Sequence, residues 1–310
     1  MKSIEGIVPV MLTPFTDENE IDYQGLENLI NWYIDNGADA LFAVCQSSEM
    51  LFLSLEERVA LSQFVVDYTN GRVPVISSGH ISPDIDDQIT ELNAIAKTGI
   101  DALVLVSNRL DPNNEGTEVF LNNLKLLMDA LPADMPLGLY ECPAPYRRLL
   151  TDDEIKFCAN SGRFVVLKDV SCDLETVKRR VKLVEGTPFA IINANAAIAY
   201  ESMQHGSKGF SGVFTNFHPD LYHWLYHHAS DAPDYAKKLS WFLSLSAVTE
   251  TLGYPKNAKV FHQRLGTFRS TYSRATDADV LEKFWGLGVI LDQIAAAAKS
   301  ERETIKAITK

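Results

Sequence analysis

The sequence predicts an α/β fold: a closed (β/α)8 barrel, the TIM-barrel architecture, followed by a helical extension. Short apolar runs alternate with amphipathic segments through eight units, and the runs lack the apolar–polar alternation of half-exposed strands. About 230 residues cover the eight units, close to the roughly 250 typical of such barrels. The alternative fold, an open doubly wound sheet, typically carries a glycine-rich phosphate loop after an early strand, and the sequence has none.

The eight predicted strands are short and apolar throughout. They lie at residues 7–12, 40–44, 73–77, 102–106, 137–140, 164–168, 189–192 and 210–213. Because each run is apolar on both sides, we expect every strand to be buried on both faces, as in a parallel sheet covered by helices.

Amphipathic segments between these strands predict the helices. The clearest are residues 23–36, 55–68, 84–97 and 118–130. Another helix is predicted after Thr151, which begins a capping-box sequence that ends at Glu154. Gly37 and Gly99 precede two of the strands in similar surroundings, where glycine suits a left-handed helix end.

The domain organisation follows from the change of pattern near Asp231. Residues 1–230 are predicted to form the barrel. Residues 231–310 contain helical patterns only, at 235–251, 257–265 and 277–298, and are predicted to pack onto the barrel as an extension.

Composition restricts the class of partner. The chain has 310 residues, with 28 Lys and Arg against 41 Asp and Glu, a formal charge of −13. An acidic surface repels phosphate backbones and anionic lipid, so nucleic acid and membranes are not expected partners. The four cysteines form no CxxC pair, and no signal-peptide core opens the sequence, so the cytoplasm is the expected compartment.

Polar residues follow the predicted strands where a barrel of this type holds its chemistry, at the carboxyl ends. They include Gln46, Ser47, Ser48, Glu49, Arg109, Tyr140, Lys168, Asn195 and Ser211. Ser47 and Ser48, with nearby N–H groups at a helix start, suit a carboxylate. An ordinary helix cap is the alternative interpretation.

Lys168 is the most informative of these residues because it ends an apolar strand. Its ammonium group either extends to solvent or lies in a poorly solvated pocket, where desolvation lowers the pKa and yields an amine that attacks carbonyls. Tyr140 ends the preceding strand at the same level, so its hydroxyl group is placed to move protons to and from a lysine adduct.

Other candidates have simpler interpretations. His223 and His227 are four residues apart on a predicted helix, a spacing that can hold a metal, but no Glu or Cys in the pattern completes a ligand set. The Lys178-Arg179-Arg180 run is interpreted as a solvated helix face. Three cysteines (Cys45, Cys142 and Cys172) fall around the predicted mouth of the barrel, where they are either reactive or small buried side chains.

Short motifs in order along the chain resemble those of one family. They are the Gly6 to Phe15 strand with its Thr-Pro-Phe ending, Gln46-Ser-Ser-Glu followed by Leu53-Ser-Leu-Glu-Glu, Leu139-Tyr-Glu-Cys-Pro, Val166-Leu-Lys-Asp, and Pro255-Lys-Asn-Ala-Lys. Over nearly its whole length the sequence resembles the dihydrodipicolinate synthase/N-acetylneuraminate lyase family of class I aldolases.

The resemblance implies a Schiff-base mechanism without metal or organic cofactor. Lys168 would condense with the ketone of pyruvate or a pyruvate-derived 2-oxo acid, Tyr140 would act as the acid/base, and the Ser47 region would hold the carboxylate. Glu49 would support the loop. The resemblance also implies a homo-oligomer, a dimer or tetramer.

Departures from the family pattern bear on the substrate. Gln46 stands where the family has a hydroxyl residue, Arg109 where the synthases have a tyrosine, and Pro145 where they have an arginine. With Glu141 and Asn195, Arg109 is expected to recognise a hydroxylated tail, which favours a lyase for a sugar-acid-like 2-oxo acid. The alternatives are a 2-keto-3-deoxy sugar acid dehydratase, a divergent dihydrodipicolinate synthase, or a non-catalytic protein that binds 2-oxo acids.

Overall fold

A ring of short parallel strands forms the centre of the molecule in this computed structural model, which describes residues 3–308. The strands are β1 (Gly6–Ile7), β2 (Leu41–Phe42), β3 (Val75–Ser77), β4 (Ala102–Val106), β5 (Leu137–Tyr140), β6 (Phe164–Asp169), β7 (Ala190–Asn193) and β8 (Gly209–Phe210). From β2 to β8 each strand pairs in parallel with the next along the chain, and β8 pairs in parallel with β1. A parallel bridge between Val10 and Phe42 joins the continuation of β1 to β2 and closes the ring. The predicted barrel is confirmed, and the open-sheet alternative is wrong.

Helices alternate with these strands and cover the barrel. They are α1 (Tyr23–Asp35), α2 (Leu55–Thr69), α3 (Ile85–Ala96), α4 (Thr117–Ala130), α5 (Asp152–Ser161), α6 (Leu174–Leu183), α7 (Ala199–Gln204) and α8 (Pro219–His228). The predicted capping box is present at α5, where the Thr151 hydroxyl accepts from the N–H of Glu154. Gly37 and Gly99 have φ of 82° and 81°, the left-handed conformation expected after their helices.

The chain beyond α8 is helical. It contains α9 (Pro233–Ala247), α10 (Lys256–Leu265), α11 (Val280–Lys283) and α12 (Leu287–Ile308). The single helix predicted at 277–298 is wrong, because the chain breaks between α11 and α12 at Phe284, whose φ and ψ are −119° and 70°. Gly286 and Gly288, which are weak helix formers, lie beside this break.

Four of the predicted strands, the first three and the eighth, are longer than the regular ladder. After β1, Pro9 has no N–H to donate, so pairing with β2 continues only through Met11 N–H to the Phe42 carbonyl and Phe42 N–H to the Pro9 carbonyl. After β8, residues Val213–Asn216 wind into a 3₁₀ turn instead of extending. In the part of the chain described, no helix has the length and apolar character needed to cross a bilayer.

Candidate active site

A cavity of about 720 Å³ opens at the carboxyl ends of the barrel strands. Five of the predicted site residues line it, namely Gln46, Ser47, Tyr140, Lys168 and Asn195. One wall comes from the C-terminal part of the chain, through Ser244 of α9 and the 3₁₀ turn Val248–Thr251 that follows it. The helical extension therefore completes the cavity at the end of the barrel where chemistry is expected.

Lys168 lies at the carboxyl end of β6 with only 8% of its surface exposed. Its Nζ atom is 4.1 Å from the centre of the Tyr140 ring, and no carboxylate of residues 3–308 pairs with it within 4.0 Å. Burial lowers the pKa of this amine below 10.5, against the opposing influence of Cys45, Cys142 and Glu250. More of the lysine is therefore in the neutral, nucleophilic form near neutrality than for an exposed lysine.

Tyr140 is placed beside Lys168 by strand register, because the two residues are direct partners in the β5–β6 ladder. Its hydroxyl donates to Gln46 Oε1 at 3.3 Å, and the Cys142 thiol contacts the same oxygen at 3.4 Å. Burial raises the Tyr140 pKa well above 10. The phenol is thus protonated at neutral pH and available as a proton donor.

The loop after β2 presents Ser47 to the cavity within the 3₁₀ turn Gln46–Ser48. Within residues 3–308 no protein acceptor takes the Ser47 N–H, which leaves it available to an anion. The Ser48 side chain is turned away: its hydroxyl lies 2.9 Å from the Met11 carbonyl and 2.7 Å from the Ala43 carbonyl, and it accepts from Cys45 N–H. Ser48 therefore holds the loop in place.

Glu49 anchors the same loop from behind. It is buried with φ of 61°, forms an ion pair with buried Lys259, and accepts from the Ser273 hydroxyl at 2.9 Å and the Arg274 N–H at 2.6 Å. These contacts occupy its carboxylate, as the expected supporting role requires. They also connect the loop to residues 273–275 of the C-terminal extension.

A buried arginine links the residues that follow Tyr140 and Lys168. Arg180 donates to both oxygens of Glu141, at 2.6 and 3.0 Å, and pairs with Asp169. The prediction that the whole 178–180 run is solvated is wrong for Arg180, which is 1% exposed. Successive helix positions are about 100° apart, so one residue of a charged run can face inward while its neighbours face solvent. This ion cluster fixes the backbone under both candidate site residues.

The remaining predicted residues are distributed differently. Asn195 reaches the cavity, and its Oδ1 caps the N–H of Ala197 at 2.8 Å. Ser211 is buried inside the barrel beside Lys168, and its hydroxyl has no partner within the described chain. Arg109 is half-buried but does not line the cavity, and the expected neighbour Glu141 is paired with Arg180 instead.

Two ionisable residues of the cavity, Tyr254 and Glu250, do not appear among the predicted site residues. Tyr254 is partly buried, lines the cavity together with Ser47, and receives a hydrogen bond from Asn216 Nδ2 at 3.0 Å. Burial raises its pKa well above 10. Glu250 lines the cavity, and desolvation raises its pKa despite the opposing attraction of Lys168. Both belong to the extension. Tyr254 directly precedes the Pro255-Lys-Asn-Ala-Lys motif, which is the only sequence signal near it, and no motif marks Glu250.

A closed (β/α)8 barrel with a buried lysine beside a tyrosine at the carboxyl ends of its strands has the arrangement that Schiff-base chemistry requires. The family model described as "Dihydrodipicolinate synthetase family" matches residues 3–274. The 4-hydroxy-tetrahydrodipicolinate synthase of Bacillus subtilis is 30% identical over 212 residues, 67% of this chain and 70% of that protein. The chain belongs to the dihydrodipicolinate synthetase family, whose members are lyases and synthases of the Schiff-base aldolase class.

Solved structures share the fold. The dihydrodipicolinate synthase DapA-2 of Bacillus anthracis aligns with a TM-score of 0.84 at 23% identity, over 94% of this chain and 99% of the other. YagE, a prophage protein of this family from Escherichia coli solved in complex with pyruvate, aligns with a TM-score of 0.80 at 21% identity, over 96% and 98%. At these identities the comparison concerns architecture.

Proposed function

We propose that this protein is a pyruvate-type class I aldolase or lyase in which Lys168 forms the Schiff base. The observation that supports this most strongly is the lysine itself, buried and free of a carboxylate partner, at the end of a cavity beside Tyr140. Burying an ammonium group without a counter-ion costs stability, and such a cost is typical of functional sites.

The proposed reaction begins with the Lys168 amine adding to the C2 carbonyl of a 2-oxo acid. Tyr140 donates a proton as the carbinolamine oxygen leaves as water, and a protonated imine remains. The imine accepts the electron pair when the C3–C4 bond breaks, and Tyr140 accepts the proton of the 4-hydroxyl group as the aldehyde departs. Protonation of the enamine at C3 and hydrolysis release pyruvate and the free lysine.

Ser47 and Tyr254 are proposed to hold the substrate carboxylate. The free N–H of Ser47 and the hydroxyl groups of both residues form a group of donors on the Gln46 side of the cavity. Donors fixed before substrate arrives bind an anion without reorganising, and they orient C2 toward the lysine. Gln46 is proposed to hold the Tyr140 hydroxyl through the 3.3 Å contact.

The substrate tail is proposed to be hydroxylated, as in a sugar-acid-like 2-oxo acid. Asn195, Ser244 and Glu250 supply polar groups to the part of the cavity formed by the extension. A second candidate is an apolar-tailed aldol, because the lining is otherwise dominated by side chains such as Leu51, Phe52, Val213, Phe214 and Val248.

A substrate panel tests the proposal. Pyruvate release is measured with 2-keto-3-deoxy sugar acids and with 4-hydroxy-2-oxo acids bearing apolar tails, using wild type and Lys168→Met. Condensation of pyruvate with aspartate semialdehyde is assayed beside them. We expect cleavage of the sugar acids, with a higher KM for Asn195→Ala, and no turnover by Lys168→Met. Preference for apolar tails selects the second candidate, efficient condensation with the semialdehyde makes the protein a synthase, and wild type inert toward every compound contradicts the proposal.

A homo-oligomer, a dimer or tetramer, is also inferred. Apolar side chains of α9, α12 and the turns beside them are exposed on one side of the extension, among them Leu245 (74%), Val248 (63%) and Val289 (65%). Contiguous apolar surface of this kind is typical of subunit contacts. Light scattering after size exclusion checks this, since a Leu245→Glu variant that stays as large as wild type contradicts a contact there.

The cytoplasm is the proposed compartment. All four cysteines are free thiols, and Cys45, Cys142 and Cys158 are buried. Reduced cysteines are usual where glutathione and thioredoxin keep thiols reduced. Fractionation of the native cells with compartment markers checks the assignment.

A further inference from the structure

A second group of ligand-type side chains lies at the opposite end of the barrel from the cavity. His223 and His227 are one turn apart on α8, so they share one face of the helix. Asp39 lies in the loop before β2, at the amino end of the strands. The three donor atoms all lie within 4.8 Å of one another, which completes the ligand set that the His223/His227 spacing lacked in sequence.

The separations within this group match those of metal ligands. His223 Nδ1 is 3.5 Å from Asp39 Oδ2, and His227 Nε2 is 3.4 Å from Asp39 Oδ1. Ligands at about 2.0–2.1 Å from a tetrahedral Zn²⁺ ion are about 3.4 Å apart. His223 Nδ1 makes no hydrogen bond of good geometry among the described residues, and its nearest polar partner is the Asp39 carboxylate at 3.5 Å.

Contacts behind the ligands fix their orientation. The N–H of Ile7 donates to Asp39 Oδ2 at 2.7 Å, and the Gly37 backbone packs closely against the His223 ring. A Cβ atom at Gly37 would lie 2.7 Å from the Cγ of His223, so glycine is needed for the ring to sit there. Metal-binding histidines and carboxylates are typically held by such outer contacts.

Charge in this region favours a cation. Asp39 places a carboxylate beside the two imidazole rings, with each of its oxygens facing one of them. His227 lies in the last turn of α8, where the helix dipole is negative.

We propose that Asp39, His223 and His227 bind a divalent ion of the Zn²⁺ type, with water completing the coordination. Two imidazole nitrogens and one carboxylate form a borderline donor set that suits Zn²⁺, Co²⁺ or Ni²⁺ better than Mg²⁺ or Ca²⁺. The ion would join α8 to the loop that enters β2, and through Asp39 to the start of β1. In the described chain β1 and β2 share no regular ladder and are joined by an isolated bridge and a few backbone hydrogen bonds, one of them from the Asp39 N–H to the Ile7 carbonyl, so the ion would brace this seam of the barrel.

The test uses full-length, metal-stripped protein titrated with Co²⁺ and then with Zn²⁺. Visible absorption of tetrahedral Co²⁺ should appear at one equivalent, without the near-ultraviolet band of a thiolate ligand, and should disappear when Zn²⁺ displaces it. His227→Gln, which changes a partly exposed side chain, and Asp39→Asn should each weaken binding by about tenfold or more. His228→Gln is the matched control, because His228 is the next residue and contacts only Asp231 among the described charged groups.

Thermal unfolding provides an independent measurement. Zn²⁺ at a hundredfold excess over its Kd should raise the Tm of wild type and of His228→Gln, by linkage, and should leave that of His227→Gln unchanged. Equal Co²⁺ affinity in wild type and His227→Gln overturns the proposal, as does a cobalt spectrum with thiolate character or the absence of any saturable binding. None of these outcomes depends on the lyase activity.

Discussion

Replacing Arg180 by methionine should destabilise the protein strongly, although Arg180 belongs to a charged run on a surface helix. The guanidinium group is 1% exposed, donates to both oxygens of Glu141, pairs with Asp169, and also donates to the Leu150 carbonyl at 3.0 Å. Removing one partner of a buried ion pair leaves uncompensated charge and typically costs about 3–5 kcal/mol. A domain has only about 5–15 kcal/mol of stability in total, so Arg180→Met should lose a large share of it.

Urea unfolding, followed by circular dichroism and tryptophan fluorescence, measures this loss. The midpoint for Arg180→Met should fall with the slope unchanged. Arg179→Met is the matched control: Arg179 is 53% exposed and pairs with Asp152 at the surface, so its loss should cost at most about 1 kcal/mol.

The pH dependence of the same variant tests the cause. Burial raises the Glu141 pKa and Arg180 opposes that rise, so removing Arg180 should raise this pKa further. An acid with a higher pKa in the folded state binds more protons when folded, so its contribution to stability increases as pH falls. The deficit of Arg180→Met should therefore be smaller at pH 5 than at pH 8. A variant as stable as Arg179→Met, or a deficit that grows on acidification, would refute the reasoning.

Three further predictions concern the cavity. Tyr140→Phe should lower kcat by roughly a hundredfold or more while leaving the Tm near that of wild type, and an unchanged kcat would make Tyr140 a packing residue. The rate of imine formation should rise with pH and level off below pH 10.5, because burial lowers the Lys168 pKa and only the neutral amine attacks. Stopped-flow absorbance measures this rate, and an inflection at pH 10.5 or above counts against a desolvated lysine. Cys172 is exposed and lines the cavity, so it should be alkylated before the other cysteines, and pyruvate should slow its alkylation. Peptide mapping measures the alkylation of each cysteine, and a Cys172 rate that pyruvate does not change would place this thiol outside the reacting region.

The regular alternation of apolar runs and amphipathic segments predicted the barrel because every strand needs both faces buried and every helix one. The same periodicity placed Tyr140 and Lys168 side by side, since equivalent positions of successive parallel strands are neighbours. Sequence could not fix how far each strand ladder extends, because Pro9 and the turn after β8 interrupt pairing locally.

Long-range partners were beyond the reach of sequence patterns. In the sequence Arg180 is indistinguishable from its solvated neighbours, because its partners Glu141 and Asp169 lie at the carboxyl ends of two barrel strands, β5 and β6. Asp39 is 188 residues from His227, so no local spacing connects them. Likewise, nothing in the pattern of the extension indicated that Glu250 would line the cavity formed by the barrel.

A Schiff base on Lys168 can be trapped by reducing the protein with borohydride in the presence of pyruvate and mapping the modified peptide. We expect a single adduct, pyruvate less water plus two hydrogens, on Lys168. Lys259 is a matched internal control: it is another buried lysine, with a pKa lowered by burial to about 8, but Glu49 occupies it and it should stay unmodified. Lys168→Met should give no adduct. An adduct on another lysine, or retained trapping in Lys168→Met, would contradict a Schiff base on Lys168.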